Sequence, residues 1–241
     1  MALDELLSEL DVLDEATDAV RGSARGLSDA ALVEPSLLPG WSRGHVLAHL
    51  TGNAYALGRL ADSALRAVEV PMYASRAARD AEIEALAARP APALRADFEA
   101  SAAQLRDRLV AVAADGATRE RVVRLSSGAP LTGGEIIAAR LVEVVVHHVD
   151  LGAGYTPADW GDATARRALD RVVPLFRARG NLPVGRLVAT GAAHTWEIGP
   201  AGPELRGTAA DLLAWLTGRG TGADIAIDGR PGPIPPAPPW K

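Results

Sequence analysis

Two pairs of polar residues, each with a spacing of four, constrain the fold of this chain more than any other feature of its sequence. His45 and His49 form the first pair, and Glu143 and His147 form the second. Residues that are four apart lie on one face of an α-helix. Two such helices packed side by side can direct imidazole and carboxylate groups to one point, as helix bundles do when they build metal sites. The spacing therefore predicts a helical bundle that contains a candidate metal site.

The donor groups in these pairs are good ligands for zinc, and a catalytic zinc commonly takes three protein ligands and keeps one position open. Two neighbouring histidines, His147 and His148, follow Glu143. Their directions on a helix differ by about 100°, so the four-residue spacing selects His147 as the partner of Glu143. The spacing alone does not choose between His45 and His49.

A simpler interpretation of the second pair is a side-chain hydrogen bond on a helix surface, because such pairs are common. The surrounding sequence argues against it. Glu143 and His147 interrupt a run of leucine and valine residues between positions 141 and 149, and a buried charge without a partner is energetically costly. A metal ion held between the two side chains would offset that cost.

The composition excludes several kinds of site and partner. The sequence of 241 residues contains no cysteine, so a disulfide framework, a cysteine-ligated zinc and a cysteine nucleophile are excluded. A formal charge of -5 argues against nucleic acid as the main partner. The acidic N-terminal segment does not resemble a signal peptide, and no apolar run approaches the roughly 18 residues of a membrane span. These features predict a soluble, cytoplasmic protein without a membrane partner.

Helical periodicity is the main secondary-structure signal up to residue 150. It predicts helices over residues 3–25, 42–67, 75–88 and 92–114, followed by a helix that carries the second polar pair. A short extended segment is expected before that last helix, over residues 121–125. Thr132 and Glu135 have the spacing of a capping box and are expected to open this last helix. Residues 142–149 are rich in β-branched side chains, which also suit a strand. The cap, the length and the stop at Gly152 favour a helix.

A change of pattern after Tyr155 indicates a second, smaller domain. We predict helices over residues 164–179 and 208–217 and strands over residues 186–190, 194–198 and 223–228. This alternation is typical of an α/β or α+β domain, so we place the two domains at residues 1–155 and 156–241. The proline-rich residues 231–240 are predicted to lie extended across the surface or against the first domain.

Three segments carry a family resemblance. They are Leu38-Pro-Gly-Trp-Ser-Arg-Gly-His-Val-Leu-Ala-His-Leu-Thr-Gly-Asn53, Pro71-Met-Tyr73 and Glu143-Val-Val-Val-His-His-Val-Asp-Leu-Gly152. Together they resemble the mycothiol-dependent maleylpyruvate isomerases, and the similarity extends along nearly the whole chain. The resemblance implies a mainly α, DinB-like four-helix bundle with a metal site, followed by a smaller α/β domain.

The resemblance also implies a ligand set. In that family the later histidine of the Trp-x-x-x-His-x-x-x-His element binds the metal, and this histidine corresponds to His49. The Glu-x-x-x-His element supplies the other two ligands, which correspond to Glu143 and His147. Zinc, or a similar divalent metal, is the expected ion.

The implied reaction is the cis to trans conversion of maleylpyruvate to fumarylpyruvate with the small thiol mycothiol, as in gentisate breakdown and other aromatic catabolism. A zinc-bound thiol is deprotonated near neutral pH, so the expected course is thiolate addition to the alkene, rotation about the single bond and elimination. The substrate is a dicarboxylate. Arg79 and Arg219 occur in contexts similar to those of family arginines, and they are expected to hold carboxylates or mycothiol and to stabilise the enolate.

Other polar residues have more than one interpretation. His45 is expected to face the same cleft behind the ligands or to pack on its helix, and His148 to make a structural hydrogen bond. Asp150 is placed to orient His147 or to act at the helix end, and Asn53 to line the site or cap a backbone group. Two other functions stay open. One is a mycothiol S-transferase, which would retain the thiol adduct, and the other is a non-catalytic metal-binding protein.

Overall fold

The computed structural model of the chain describes residues 2–191 and 194–240. The chain divides into two compact units, Met1–Gly154 and Tyr155–Lys241. The first unit is mainly helical, and the second combines helices with a four-stranded sheet. The predicted fold class, a mainly α part followed by a smaller α/β part, is confirmed.

The first unit is built around four long helices. Its helices are α1 (Leu3–Arg25), α2 (Asp29–Val33), α3 (Arg43–Arg66), α4 (Arg76–Ala87), α5 (Ala91–Ala114), α6 (Gly116–Glu120) and α7 (Ile136–Asp150). Helix α3 packs against α4, α5 and α7, while α1 packs against α5 and α7. A short antiparallel hairpin of β1 (Val122–Arg124) and β2 (Pro130–Thr132) precedes α7. The arrangement brings α3 and α7 side by side.

Apolar spacing and polar caps account for the positions of these helices. Helix α1 buries Leu6, Leu10 and Leu13 at intervals of three and four residues. Helix α3 begins after Ser42, whose hydroxyl accepts a hydrogen bond from the amide of His45 at 3.3 Å. The four helices predicted before residue 115 are confirmed, with bounds that differ by one residue at most.

The start of α7 differs from the predicted capping box. The carboxylate of Glu135 accepts hydrogen bonds from the amide and hydroxyl of Thr132 at 2.7 and 2.9 Å. Helix α7 nevertheless begins only at Ile136, and Thr132 ends strand β2. A Cβ atom on Gly133 would lie 2.4 Å from the carbonyl oxygen of Thr118, so the turn packs too closely for any other residue. The Thr132–Glu135 contact therefore closes a strand-to-helix turn.

The predicted helix over the β-branched segment is confirmed, because residues 142–149 lie within α7. Gly152 follows the helix with a φ of +64°, a left-handed conformation that glycine adopts readily. The elements absent from the sequence prediction are α2, α6, β2, a 3₁₀ turn (Pro157–Asp159) and strand β5 of the second unit (Glu204–Gly207). All are five residues or shorter, so their sequences carry little periodicity.

The second unit has a mixed sheet and two longer helices. Its remaining elements are α8 (Asp162–Arg179), β3 (Arg186–Ala189), β4 (His194–Glu197), α9 (Ala209–Thr217) and β6 (Ala226–Ile227). The strand order is β4-β3-β5-β6, in which β3 runs parallel to β5 and the other pairs are antiparallel. Strand β6 is shorter than the predicted strand over residues 223–228.

The proline-rich segment at residues 231–240 has no regular structure, as predicted. It packs on the helices of its own unit. The indole of Trp215 on α9 donates to the carbonyl of Pro235 at 3.0 Å, and the ring of Trp240 stacks on Phe176 of α8 at 5.8 Å. Across residues 2–191 and 194–240, no helix combines the length and apolarity that crossing a membrane requires.

Candidate metal centre

Three side chains from two helices meet in the first unit. Helix α3 supplies His49, and α7 supplies Glu143 and His147. Nε2 of His49 lies 3.0 Å from Oε2 of Glu143, and Nε2 of His147 lies 3.5 Å from the same oxygen. The ligand atoms that the three residues offer all lie within 4.8 Å of one another. In the part of the chain that the structure describes, no other group of three histidine or acidic residues converges in this way.

Burial controls the protonation of His49. Burial lowers the pKa of His49 to about 4, although the hydrogen bond with Glu143 raises it. The ring is therefore neutral at neutral pH, which is the form that binds a metal. Nη2 of Arg79 lies 3.4 Å from Nδ1 of His49, and a guanidinium can only donate. In this contact Nδ1 accepts, so Nε2 carries the ring proton towards Glu143.

A second carboxylate orients His147. Oδ2 of Asp150 lies 2.8 Å from Nδ1 of His147, and both side chains are buried. Burial lowers the pKa of His147, but the hydrogen bonds with Asp150 and Glu143 outweigh this effect and the pKa lies above its ordinary value. Asp150 accepts a hydrogen bond from Nδ1 and leaves Nε2 directed at the cluster, which is the ring orientation that a metal ligand needs. Of the two interpretations of Asp150, the contact that orients His147 is the one observed.

The loop that precedes α3 connects the two helices of the cluster. The amide of Leu37 donates to the carbonyl of Asp150 at 2.9 Å, and the amide of Ser36 donates to the carbonyl of Trp41 at 2.9 Å. The ring of Trp41 lies edge-on to His49, with 5.6 Å between the ring centroids. The start of α3 is thus tied to the end of α7, and an aromatic ring covers one side of His49.

The two predicted arginines lie in different units. Arg79 on α4 contacts His49 and donates from Nη1 to Asp80 at 2.9 Å. Arg219 follows α9 in the second unit, where its guanidinium donates to the carbonyl of Thr217. Arg79 is therefore placed beside the cluster, and the expected role of Arg219 stays a prediction.

The other histidines near the cluster in the sequence have structural contacts. Nδ1 of His45 accepts a hydrogen bond from the amide of Ser42 at 3.2 Å, which completes a capping box at the start of α3. Nε2 of His45 lies 3.2 Å from Glu84. The structural alternative for His45 is the one observed, because the ring folds back on its helix end. His148 contacts the hydroxyl of Ser23 at 2.8 Å, which confirms its structural role.

Arg140 is a residue beside the cluster that the sequence analysis did not single out. It lies on α7 one turn before Glu143 and is only 2% exposed. Its Nη1 donates to the carbonyl of Leu50 at 2.8 Å and to Oδ1 of Asn53 at 2.7 Å, so Asn53 binds a side chain and not a backbone group. The signal that could have found Arg140 is the one used for Glu143, a charged residue within an apolar helix.

Tyr73 shares the electrostatic surroundings of the cluster. Burial raises the pKa of its phenol, and Arg79 and Glu143 are among the charged groups that act on it. Its ring also lies under the guanidinium of Arg59, at 5.5 Å from the centroid. Two imidazoles and a carboxylate at these distances suit zinc or a similar divalent ion, and the guanidinium of Arg79 beside them suits an anionic ligand.

The comparisons with known proteins point to one family. Residues 13–152 match the model of the mycothiol maleylpyruvate isomerase N-terminal domain, and this range contains the whole cluster. The chain is similar to crystal structures of the mycothiol-dependent maleylpyruvate isomerase and of a histidine-to-alanine mutant of it. Each is 26% identical with a TM-score of 0.85, and the alignment covers 100% of both chains. No curated protein matches the chain. The chain therefore belongs to the mycothiol maleylpyruvate isomerase family, as its sequence motifs predicted.

Proposed function

We propose that this protein is a zinc-dependent and mycothiol-dependent cis–trans isomerase that converts maleylpyruvate to fumarylpyruvate. One observation carries the proposal. The ligand atoms of His49, Glu143 and His147 lie within 4.8 Å of one another, in a chain of this isomerase family. A cytoplasmic location and the absence of nucleic-acid or membrane partners stay predictions from the sequence.

In this proposal His49, Glu143 and His147 hold the metal. When bound, zinc lowers the pKa of a thiol that it ligates, so that mycothiol supplies a thiolate near neutral pH. The protein has no cysteine to take that role. Burial keeps the ring of His49 neutral, and the hydrogen bond that Nδ1 of His147 donates to Asp150 keeps Nε2 of His147 directed at the cluster.

Arg79 is the cation that we assign to the substrate. If His49 held a metal through Nε2, that nitrogen would carry no proton. Nδ1 would then carry the ring proton and could no longer accept from the guanidinium, which lies 3.4 Å away. Arg79 would be available to a carboxylate of the dianionic substrate, which it can bind in a bidentate manner.

The same charge would favour the reaction itself. Isomerisation requires the double bond of the substrate to become a single bond temporarily, and negative charge then builds up on the conjugated carbonyl oxygen. A fixed cation close to that oxygen lowers the barrier. We propose Arg79 for this role and Arg219 as a second cation that binds a carboxylate or mycothiol.

The experiment that tests this function measures metal content and maleylpyruvate isomerisation together, with and without mycothiol. Wild type is compared with His49→Ala and with His45→Gln as a matched control. His45 lies one turn from His49, and glutamine at this position preserves a capping box. We expect turnover that requires mycothiol, loss of both metal and turnover in His49→Ala, and retention of both in His45→Gln.

Each other outcome contradicts a defined part of the proposal. Accumulation of a stable thiol adduct would identify a mycothiol S-transferase. Bound metal without any thiol reaction would identify a non-catalytic metal-binding protein. A wild-type protein that binds no divalent metal would refute the proposed mechanism.

A further inference from the structure

A buried arginine connects the two helices of the metal centre. Arg140 lies on α7 one turn before Glu143 and donates to the carbonyl of Leu50 and to the side chain of Asn53 on α3. Leu50 follows His49 directly, and Asn53 lies one turn after it. The guanidinium therefore joins the helix with one candidate ligand to the helix with two.

Packing alone does not explain an arginine at this position. Arg140 is 2% exposed, and burial lowers its pKa only to about 10, with attraction to Glu143 and Tyr73 acting in the opposite direction. The side chain is therefore charged at neutral pH. Its Nη2 atom is buried and has no hydrogen-bond partner among the described residues. An apolar residue of similar volume would avoid these desolvation costs.

We propose that Arg140 is a positioning residue of the metal centre, an inference that rests on the proposed metal-dependent function. Its hydrogen bonds fix the separation and axial position of α3 against α7, so that Nε2 of His49 meets the carboxylate of Glu143. Its charge also balances the negative charge of Glu143. Arg140 itself contacts neither the metal nor the substrate in this proposal.

The geometry makes metal affinity sensitive to such a residue. Ligand distances in metal sites are fixed to about 0.2 Å, so a small shift of α3 along α7 would separate the donor atoms. Hydrogen bonds from a charged donor are the stronger ones. Loss of a partner that orients a ligand typically lowers metal affinity by about 10- to 100-fold. Arg140 supports the ligands through their helices, so we expect an effect in this range.

Cobalt binding to the metal-free full-length protein tests the proposal, because the visible spectrum of Co²⁺ reports its ligand number and geometry. The variants are Arg140→Met, Arg140→Lys and Asn53→Ala. Ile137→Ala is the control, because Ile137 is fully buried on α7 one turn before Arg140 and its truncation loosens the helix without removing a polar contact. Circular dichroism identifies a temperature at which each variant is folded.

Arg140→Met is expected to bind Co²⁺ about 10- to 100-fold more weakly than wild type and with a changed spectrum. Arg140→Lys is expected to recover part of the affinity, and Asn53→Ala to lose a smaller part. Ile137→Ala is expected to keep the wild-type spectrum and affinity. If Arg140→Met does not fold, the Co²⁺ affinities and spectra of Arg140→Lys and Asn53→Ala test the proposal.

Two results would overturn the inference. One is wild-type affinity and spectrum in the folded Arg140 and Asn53 variants, and the other is an equal loss of affinity in Ile137→Ala. The experiment also separates this inference from the proposed function. A wild-type protein that binds no Co²⁺ contradicts the metal-dependent function, whereas strong wild-type binding with unchanged variants contradicts only the role of Arg140.

Discussion

Asp150→Asn offers a direct test of how the protein prepares His147, a proposed metal ligand. Asp150 accepts a hydrogen bond from Nδ1 of His147 at 2.8 Å, and both groups are buried. Asparagine has the same size, and its amide oxygen can accept the same hydrogen bond without a charge. The substitution therefore removes the negative charge behind the imidazole and leaves the shape of the site unchanged.

The expected loss is largest in mildly alkaline solution. Removal of a carboxylate behind a ligand histidine lowers metal affinity by about 10- to 100-fold, or about 1.4 to 2.8 kcal/mol. Protons compete with the metal for His147, whose pKa lies above its ordinary value because of Asp150 and Glu143. Asp150→Asn lowers that pKa and weakens this competition. The difference between the two proteins should therefore shrink as the pH falls from about 8 to about 6.

Zinc affinity measured by competition with a chelating dye at about pH 8 and about pH 6 checks this prediction. Asp62→Asn is the control, because Asp62 pairs with Arg108 at 3.2 Å and lies outside the cluster. We expect Asp62→Asn to keep wild-type affinity at both pH values. Equal affinities of Asp150→Asn and wild type at the higher pH, or a difference that grows on acidification, would refute the reasoning.

Three further predictions concern stability. Urea unfolding of the metal-free protein should show greatest stability near pH 6.5, because the pKa of His49 is lowered to about 4 and that of His147 is raised. Unfolding takes up a proton at His49 below this pH and releases one from His147 above it. Stability that only rises with pH would therefore contradict the shift of His147, and stability that only falls would contradict that of His49. Ser42→Ala should lower the free energy of unfolding by about 1 kcal/mol, because it removes the cap of α3, and it should leave the metal content unchanged. An unchanged urea midpoint would show that this cap does not stabilise the protein. Gly133→Ala should destabilise by more than about 2 kcal/mol, since a Cβ atom there meets a backbone oxygen at 2.4 Å. Gly22→Ala is the control, because a Cβ atom on Gly22 of α1 would meet nothing within 4 Å, and it should stabilise the protein by about 0.5 to 1 kcal/mol in thermal unfolding. A similar loss of stability in the two variants would refute the steric argument.

The helices of the first unit were predictable because their signals are local. A cap such as Ser42 and an apolar repeat such as that of α1 act over a few residues, and no distant contact alters them. The pairing of Glu143 with His147 follows from the same periodicity. Local reasoning fails at Thr132 and Glu135. Their spacing predicts a capping box, but Gly133 packs against the backbone of Thr118, and the two residues close a strand-to-helix turn instead.

The inner surroundings of the cluster were less predictable. Spacing did not separate His45 from His49, and only the family resemblance made that choice. The structure gives the physical reason for the difference. The ring of His45 folds back on Ser42 at the start of α3, whereas the ring of His49 faces Glu143. The hydrogen-bond partners of Arg140 are Leu50 and Asn53, which lie 90 and 87 residues away in the sequence. No local sequence pattern specifies such contacts.

In the proposed metal centre, the hydrogen bond from the amide of Leu37 to the carbonyl of Asp150 would couple metal release to a local opening of the chain. The residue that accepts this bond also supports His147 through its side chain, so opening of the loop before α3 loosens a ligand. Local opening free energies are measured by amide hydrogen exchange. Metal binding should therefore slow exchange at Leu37 more than at amides in the middle of α5, and the exchange rate of this single amide would report how often the proposed site can lose its ion.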